Sequence, residues 1–176
     1  MPTPGKLVPL SLDHKHALEV FLCEFDGCRD ELHGYFCDRG ASIDAAVQLL
    51  SDWGRGQSLG DGWVPCSTWF WESEGVLQGV INVRHRLTPR LEEMGGHIGY
   101  SVAPSHRRKG VATAMLREVL AHCRALEIRR ALLTCNAANE ASARTIESNG
   151  GVLDREGWCE LEQREQRWYW IALDQD

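Results

Sequence analysis

Three consecutive cations, Arg107, Arg108 and Lys109, stand immediately before Gly110, Val111, Ala112 and Thr113. An apolar strand ends near Val102, Pro104 turns the chain, and a helical pattern opens at Gly110. Cations at the amino end of a helix oppose its dipole, at about 0.3–1 kcal/mol each. The unbonded N–H groups of a first helical turn favour an anion, and the three side chains add to that pull. Gly110 and Ala112 keep bulk away from the main chain, so the anion can approach closely. The pattern predicts a site for a small, multiply charged anion such as a pyrophosphate. A solvated basic loop that merely starts a helix is the competing explanation. The phosphate-binding patterns Gly-x-x-x-x-Gly-Lys-Ser/Thr and Gly-x-Gly-x-x-Gly are both absent, so neither nucleotide motif fits.

Arg107-Arg108-Lys109-Gly110-Val111-Ala112 resembles the Arg/Gln-x-x-Gly-x-Gly/Ala loop of the GNAT superfamily of N-acetyltransferases. Downstream, Asn139-Glu140-Ala141-Ser142 and Glu147-Ser148-Asn149-Gly150 resemble that family's Asn-x-x-Ala/Ser helix and its end. The similarity runs from about residue 76 to 157, and Ser142 matches the branch of ribosomal-protein and antibiotic N-acetyltransferases. It implies acetyl-CoA as cosubstrate, without a metal, for an acyltransferase of class EC 2.3.1. The pyrophosphate would lie on the amides of Arg107 to Thr113. The strand ending at Val102 would hold the pantetheine arm and the acetyl carbonyl. Asn139 and Ser142 would complete the cofactor site. It also implies a centrally splayed α/β sheet of six to seven strands with about four helices, the splay caused by a bulge in the Val102 strand. Two positions depart from the family. Ile146 stands where many members carry a Tyr that protonates the leaving thiolate, and Gly151 stands where Phe is usual.

Amine attack on a thioester needs a base, donors for the oxyanion and a proton for the thiolate. A main-chain N–H near Val102 suits the oxyanion. His97, in the strand entering the site, is the candidate base because imidazole titrates near neutral pH. Glu92, Glu93 and water compete with it, and an ordinary strand histidine is an equal explanation. Ser142 could bond the sulfur or simply bond back to its own helix. Cys135 reads as core. The tryptophan pairs Trp69/Trp71 and Trp168/Trp170 share strand faces by spacing and could pack or wall an acceptor amine. Arg84, His85 and Arg86 end a strand where they could meet a charged acceptor.

The elements that must position these residues follow from periodicity. A strand over 6–10 and two helices, the second capped by Ser42, precede a hairpin over 67–71 and 76–86. Residues 87–96, with Pro89 and two glycines, read as a loop. A strand over 97–102, a helix over 110–126, an apolar strand over 131–135 and a helix over 139–148 come next. Strands over 152–157 and 167–173 close the chain. Antiparallel strands early and a βαβ crossover later are expected.

A length of 176 residues with 43% hydrophobic content fits one domain, 1–176. The net charge of −6 argues against nucleic acid or an anionic membrane as a general partner. No apolar run suits a membrane span or signal peptide, so a cytoplasmic protein is expected. The seven cysteines lack a Cys-x-x-Cys pair and read as reduced thiols. Cys23, Cys28, His33 and Cys37 crowd one segment, yet their spacing is not that of a zinc site. The expected acceptor is a primary amine of a small molecule or a peptide N-terminus, and edge strands near the C-terminus leave room for a homodimer. A catalytically silent acyl-CoA-binding module is the alternative, with a nucleotide-dependent phosphotransferase a distant third.

Overall fold

The computed structural model describes residues 4–26, 32 and 42–173. In chain order they form β1 (Lys6–Val8), α1 (Lys15–Cys23), α2 (Ile43–Gly54), β2 (Cys66–Ser73), β3 (Val76–Arg84) and α3 (Pro89–Glu93). Then follow β4 (Ile98–Val102), α4 (Val111–Ala125), β5 (Arg130–Asn136), α5 (Glu140–Glu147), β6 (Val152–Cys159) and β7 (Arg164–Ala172). The seven strands make two sheets, β1-β2-β3-β4 and β5-β7-β6, and every ladder is antiparallel. The α4 crossover therefore does not add β5 to β4 as a paired parallel strand. It places β5 in a second sheet.

α3 is a helix where a loop was expected. Thr88 accepts from Leu91 N–H and Pro89 occupies the first helical position, a combination that starts a helix. Gly95 and Gly96, both with positive φ, end the excursion.

One core lies beneath α4 and α5 and draws on both sheets: Ile81, Val83 and Ile98 from the first, Leu133, Tyr169 and Ile171 from the second, Met115, Leu116 and Val119 from α4. α4 is thus the element that holds the two sheets together. Each such side chain contributes about 1.5–3 kcal/mol on burial. The opposite face of the first sheet packs Phe70 and Val80 against Phe21, Phe25 and Leu50. Ser42 caps α2 as expected, accepting from Ala45 N–H at 3.2 Å.

Candidate active site

β4 and β5 meet at one point. His97 N–H donates to Leu132 O at 2.7 Å, and Leu132 N–H donates to His97 Nδ1 at 3.0 Å. Beyond this apex no ladder joins β4 to β5. The phase of the β3–β4 ladder shows what faces the gap. Arg84 N–H bonds His97 O and Ala103 N–H bonds Gln78 O, and alternate residues of an antiparallel strand bond to the same side. Gly99 and Ser101 therefore address β3, while the N–H and C=O groups of Ile98, Tyr100 and Val102 point into the gap. No bulge interrupts β4, whose register with β3 is continuous from Gly79↔Val102 to Val83↔Ile98. The expected bulge is absent, and the two sheets part because β5 is claimed by β7.

At the open end stands the basic loop. A 3-10 turn over Pro104–His106 is tied to the end of α1 by Ser105 N–H donating to Glu24 Oε2 at 3.0 Å. Arg108 (φ 58°) and Gly110 (φ 82°) both adopt the left-handed region. Arg108 there costs about 1–2 kcal/mol, the kind of strain that marks a functional turn. A Cβ on Gly110 would meet nothing within 4 Å, so the space before α4 is open. Gly110 has no side chain to cap the helix, and the first helical bond is Ala114 N–H to Gly110 O. The N–H groups of Val111, Ala112 and Thr113 thus lack intrahelical acceptors. Arg108 and Lys109 are exposed beside them. Arg107, exposed like them, turns back along the chain, its Nε donating to Val102 O at 3.1 Å.

The second wall is α5. Asn139 caps it, with Ser142 N–H donating to Asn139 Oδ1 at 3.0 Å. Ser142 Oγ shares a hydrogen bond of 2.8 Å with the hydroxyl of Tyr100, and burial raises the pKa of the neighbouring Cys135 thiol. Asn149 Nδ2 donates to Thr113 O and Thr145 O, locking the end of α5 to the first turn of α4. Ile146 is 1% exposed and lies in the core. A side chain there faces packing rather than the gap. Gly151 sits against it, since a Cβ would fall 2.4 Å from Ile146 Cγ2, so the two departures from the family pattern form one packed contact.

His97, the candidate base, is buried and bonded into the apex. It is 7% exposed, with Nδ1 already an acceptor, so the neutral ring carries its proton on Nε2. Burial, helped by Arg84, lowers its pKa to about 4. The structure places it at the apex, apart from the loop and Ser142. Protonation would set two donors face to face. A folded pKa below the ordinary 6.5 means the unfolded chain binds more protons between those values, so stability is full above pH 6.5 and falls toward pH 4. The loss expected is about 3 kcal/mol at most. His97→Asn, which keeps an acceptor and cannot titrate, should flatten that slope in pH-dependent urea melts; unchanged slopes would refute the assignment.

Several of the other candidates are engaged elsewhere. The Glu93 carboxylate pairs with Arg155 at 3.2 Å, while Trp168 Nε1 donates to the main-chain carbonyls of Glu92 and Glu93 and so fixes the backbone of α3 rather than the Glu92 carboxylate. Arg84 donates to Gly95 O and Gly96 O, and His85 Nε2 bonds Ser67 Oγ. Trp69 stacks on His122, and arginines lie over Trp168 and Trp170. These tryptophans pack rather than wall an acceptor. Among the described residues no cluster of His, Cys, Asp or Glu could hold a metal; Cys28, His33 and Cys37 lie outside them. No helix among them is long and apolar enough to cross a membrane. Sequence reading missed Tyr100, whose partner lies 42 residues away.

Among curated proteins, none matches the chain by sequence. Many solved structures share its fold. A ribosomal L7/L12 alpha-N-protein acetyltransferase, RimL, solved with coenzyme A as a CoA–cysteine disulfide, superposes with a TM-score of 0.65 at 17% identity, covering 97% of this chain and all of that one. An acetyltransferase from Salmonella typhimurium that modifies the N-terminal serine of the 50S subunit protein L7/L12 gives 0.65 at 18% identity, over 98% and 96%. The microcin C7 self-immunity acetyltransferase MccE, bound to acetyl-CoA and AMP, gives 0.58 at 14%, over 94% and 91%. Residues 24–150 match the family described as Acetyltransferase (GNAT) family. That match spans most of the chain and includes β4, the basic loop, α4 and α5, so the chain belongs to the GNAT acetyltransferase family.

Proposed function

We propose that the chain transfers the acetyl group of acetyl-CoA to a primary amine of a small molecule or a peptide N-terminus. One observation carries the reading: the gap-facing main-chain edge of β4 leads directly to the open N-terminus of α4. The pyrophosphate lies on the N–H groups of Gly110 to Thr113, with Arg108 and Lys109 neutralising its charge. The pantetheine amides bond along Ile98, Tyr100 and Val102, as an added strand would. Val102 N–H receives the developing oxyanion. Arg107 acts from within the loop, fixing Val102 O. Asn139 acts by capping α5 and so orienting Ser142, which meets the sulfur. The amine attacks in its neutral form and gives its proton to water, since His97 belongs to the apex.

The acceptor class is supported by the solved neighbours, one of which modifies an N-terminal serine. Cytoplasmic residence is supported by free thiols at Cys23, Cys66, Cys123, Cys135 and Cys159. A homodimer across edge strand β6 is supported by the exposure of Val152, Leu153 and Trp158, and light scattering reads it directly. Incubation with acetyl-CoA and a panel of amines and peptides, followed by mass spectrometry, should detect an acetylated product. Cofactor binding without product from any amine would favour the silent acyl-CoA-binding alternative.

A further inference from the structure

We propose that Tyr100 supplies the proton taken up by the departing thiolate, acting through Ser142. The inference rests on the acetyl-transfer reading above and adds to it a donor on β4. The Tyr100 hydroxyl lies 2.8 Å from Ser142 Oγ and 3.4 Å from Ser142 O. Ser142 is held in turn by its N–H bond to Asn139 Oδ1. The Tyr100 main chain faces the gap, and its half-buried ring rests against the α4–α5 core. The hydroxyl pair therefore spans the two walls between which the thioester must lie.

The acidities decide where the charge can rest. A thiol has an ordinary pKa of about 8.5 and a phenol of about 10. A phenolate formed by protonating the thiolate therefore lies uphill by only about 1.5 pKa units and is drawn forward by its reprotonation. An aliphatic alcohol is a far weaker acid than either. Ser142 alone would have to end as an alkoxide, a far stronger base than a phenolate. With Tyr100 behind it, the charge comes to rest on a phenolate instead. The amine nitrogen forms its bond to the carbonyl carbon and the C–S bond breaks. The sulfur takes the Ser142 Oγ proton as Ser142 takes the Tyr100 proton. The phenolate is reprotonated by the proton lost from nitrogen, delivered through water. One proton leaves nitrogen and one reaches sulfur, so the step balances without another reactant. Ile146, buried in the core, leaves α5 without its usual donor, and Tyr100 fills that role from the strand. Tyr100 is thus a positioning residue that feeds protons to Ser142.

The test compares the intact enzyme with Tyr100→Phe, Ser142→Ala and their combination. Tyr100→Phe should lower kcat by about 10²-fold or more, while acetyl-CoA affinity and melting temperature stay near those of the parent. Because both residues serve one path, the double variant should be no slower than Ser142→Ala alone. Replacing Tyr100 with 3-fluorotyrosine, a more acidic phenol, should retain turnover and move the alkaline limb of kcat to lower pH. An unchanged kcat in Tyr100→Phe, or an unmoved alkaline limb with fluorotyrosine, would overturn the relay and leave the acetyl-transfer reading standing. Failure of the intact protein to bind acetyl-CoA would overturn both.

Discussion

Gly110→Asp is expected to weaken acetyl-CoA binding by about a hundredfold or more while leaving the fold nearly as stable as before. The new Cβ enters open space, so no clash accompanies it. The left-handed φ of 82° costs a side chain about 1–2 kcal/mol. The carboxylate recovers about 0.3–1 kcal/mol from the dipole of α4. The melting temperature should therefore fall by only a few degrees. Binding responds differently, because the carboxylate occupies the space that the pyrophosphate needs. At about 5 Å and an effective dielectric near 20, each like-charge contact costs about 3 kcal/mol, or roughly 10² in affinity. Gly110→Ala carries the same backbone strain without the charge and separates the two effects. Equilibrium dialysis against acetyl-CoA should show Gly110→Ala binding far more tightly than Gly110→Asp. Equal losses in both would show that the conformation of the loop, rather than its charge, governs the site.

The second large effect is expected at the apex. Gly96 has φ 62°, and a Cβ there would fall 2.3 Å from Leu132 O and 2.8 Å from Leu132 C. Both are main-chain atoms of β5 and cannot swing aside. Gly96→Ala must push β5 from β4, strain its own backbone and stretch the two bonds between His97 and Leu132. Together these should cost about 3–5 kcal/mol, lowering the melting temperature by roughly 10 °C or more for a chain of this size. The opening angle of the gap depends on this junction, so acetyl-CoA affinity should fall too. A variant melting within about 2 °C of the parent would show that the apex is looser than the contacts imply.

The parts of the fold legible in sequence were those set by local chemistry. The Arg107 to Thr113 loop and the helix after it follow from charge, small residues and Pro104. Ser42 announces α2 through its hydroxyl. The strands announce themselves by alternation. What stayed hidden depends on contacts between distant segments. His97 reads as a base because histidine titrates near neutrality, and only its seat against Leu132 lowers its pKa to about 4. Tyr100 carries no local mark, and its role depends on α5 bringing Ser142 to its hydroxyl. The central splay was implied by the family resemblance alone, because the apolar run of β5 suits a buried central strand whether it joins β4 or β7. α3 was hidden because Gly95 and Gly96 outweighed the Thr88-Pro89 start. In each case a local rule was correct and a tertiary contact decided the outcome.

The most direct test of the account is a calorimetric titration of the intact protein with acetyl-CoA. The account predicts stoichiometric binding with a dissociation constant in the micromolar range, about −8 kcal/mol, weakened as salt screens the phosphates from Arg108 and Lys109. No heat and no saturation by the intact protein would contradict it, and the loop before α4 would then be a solvated helix start.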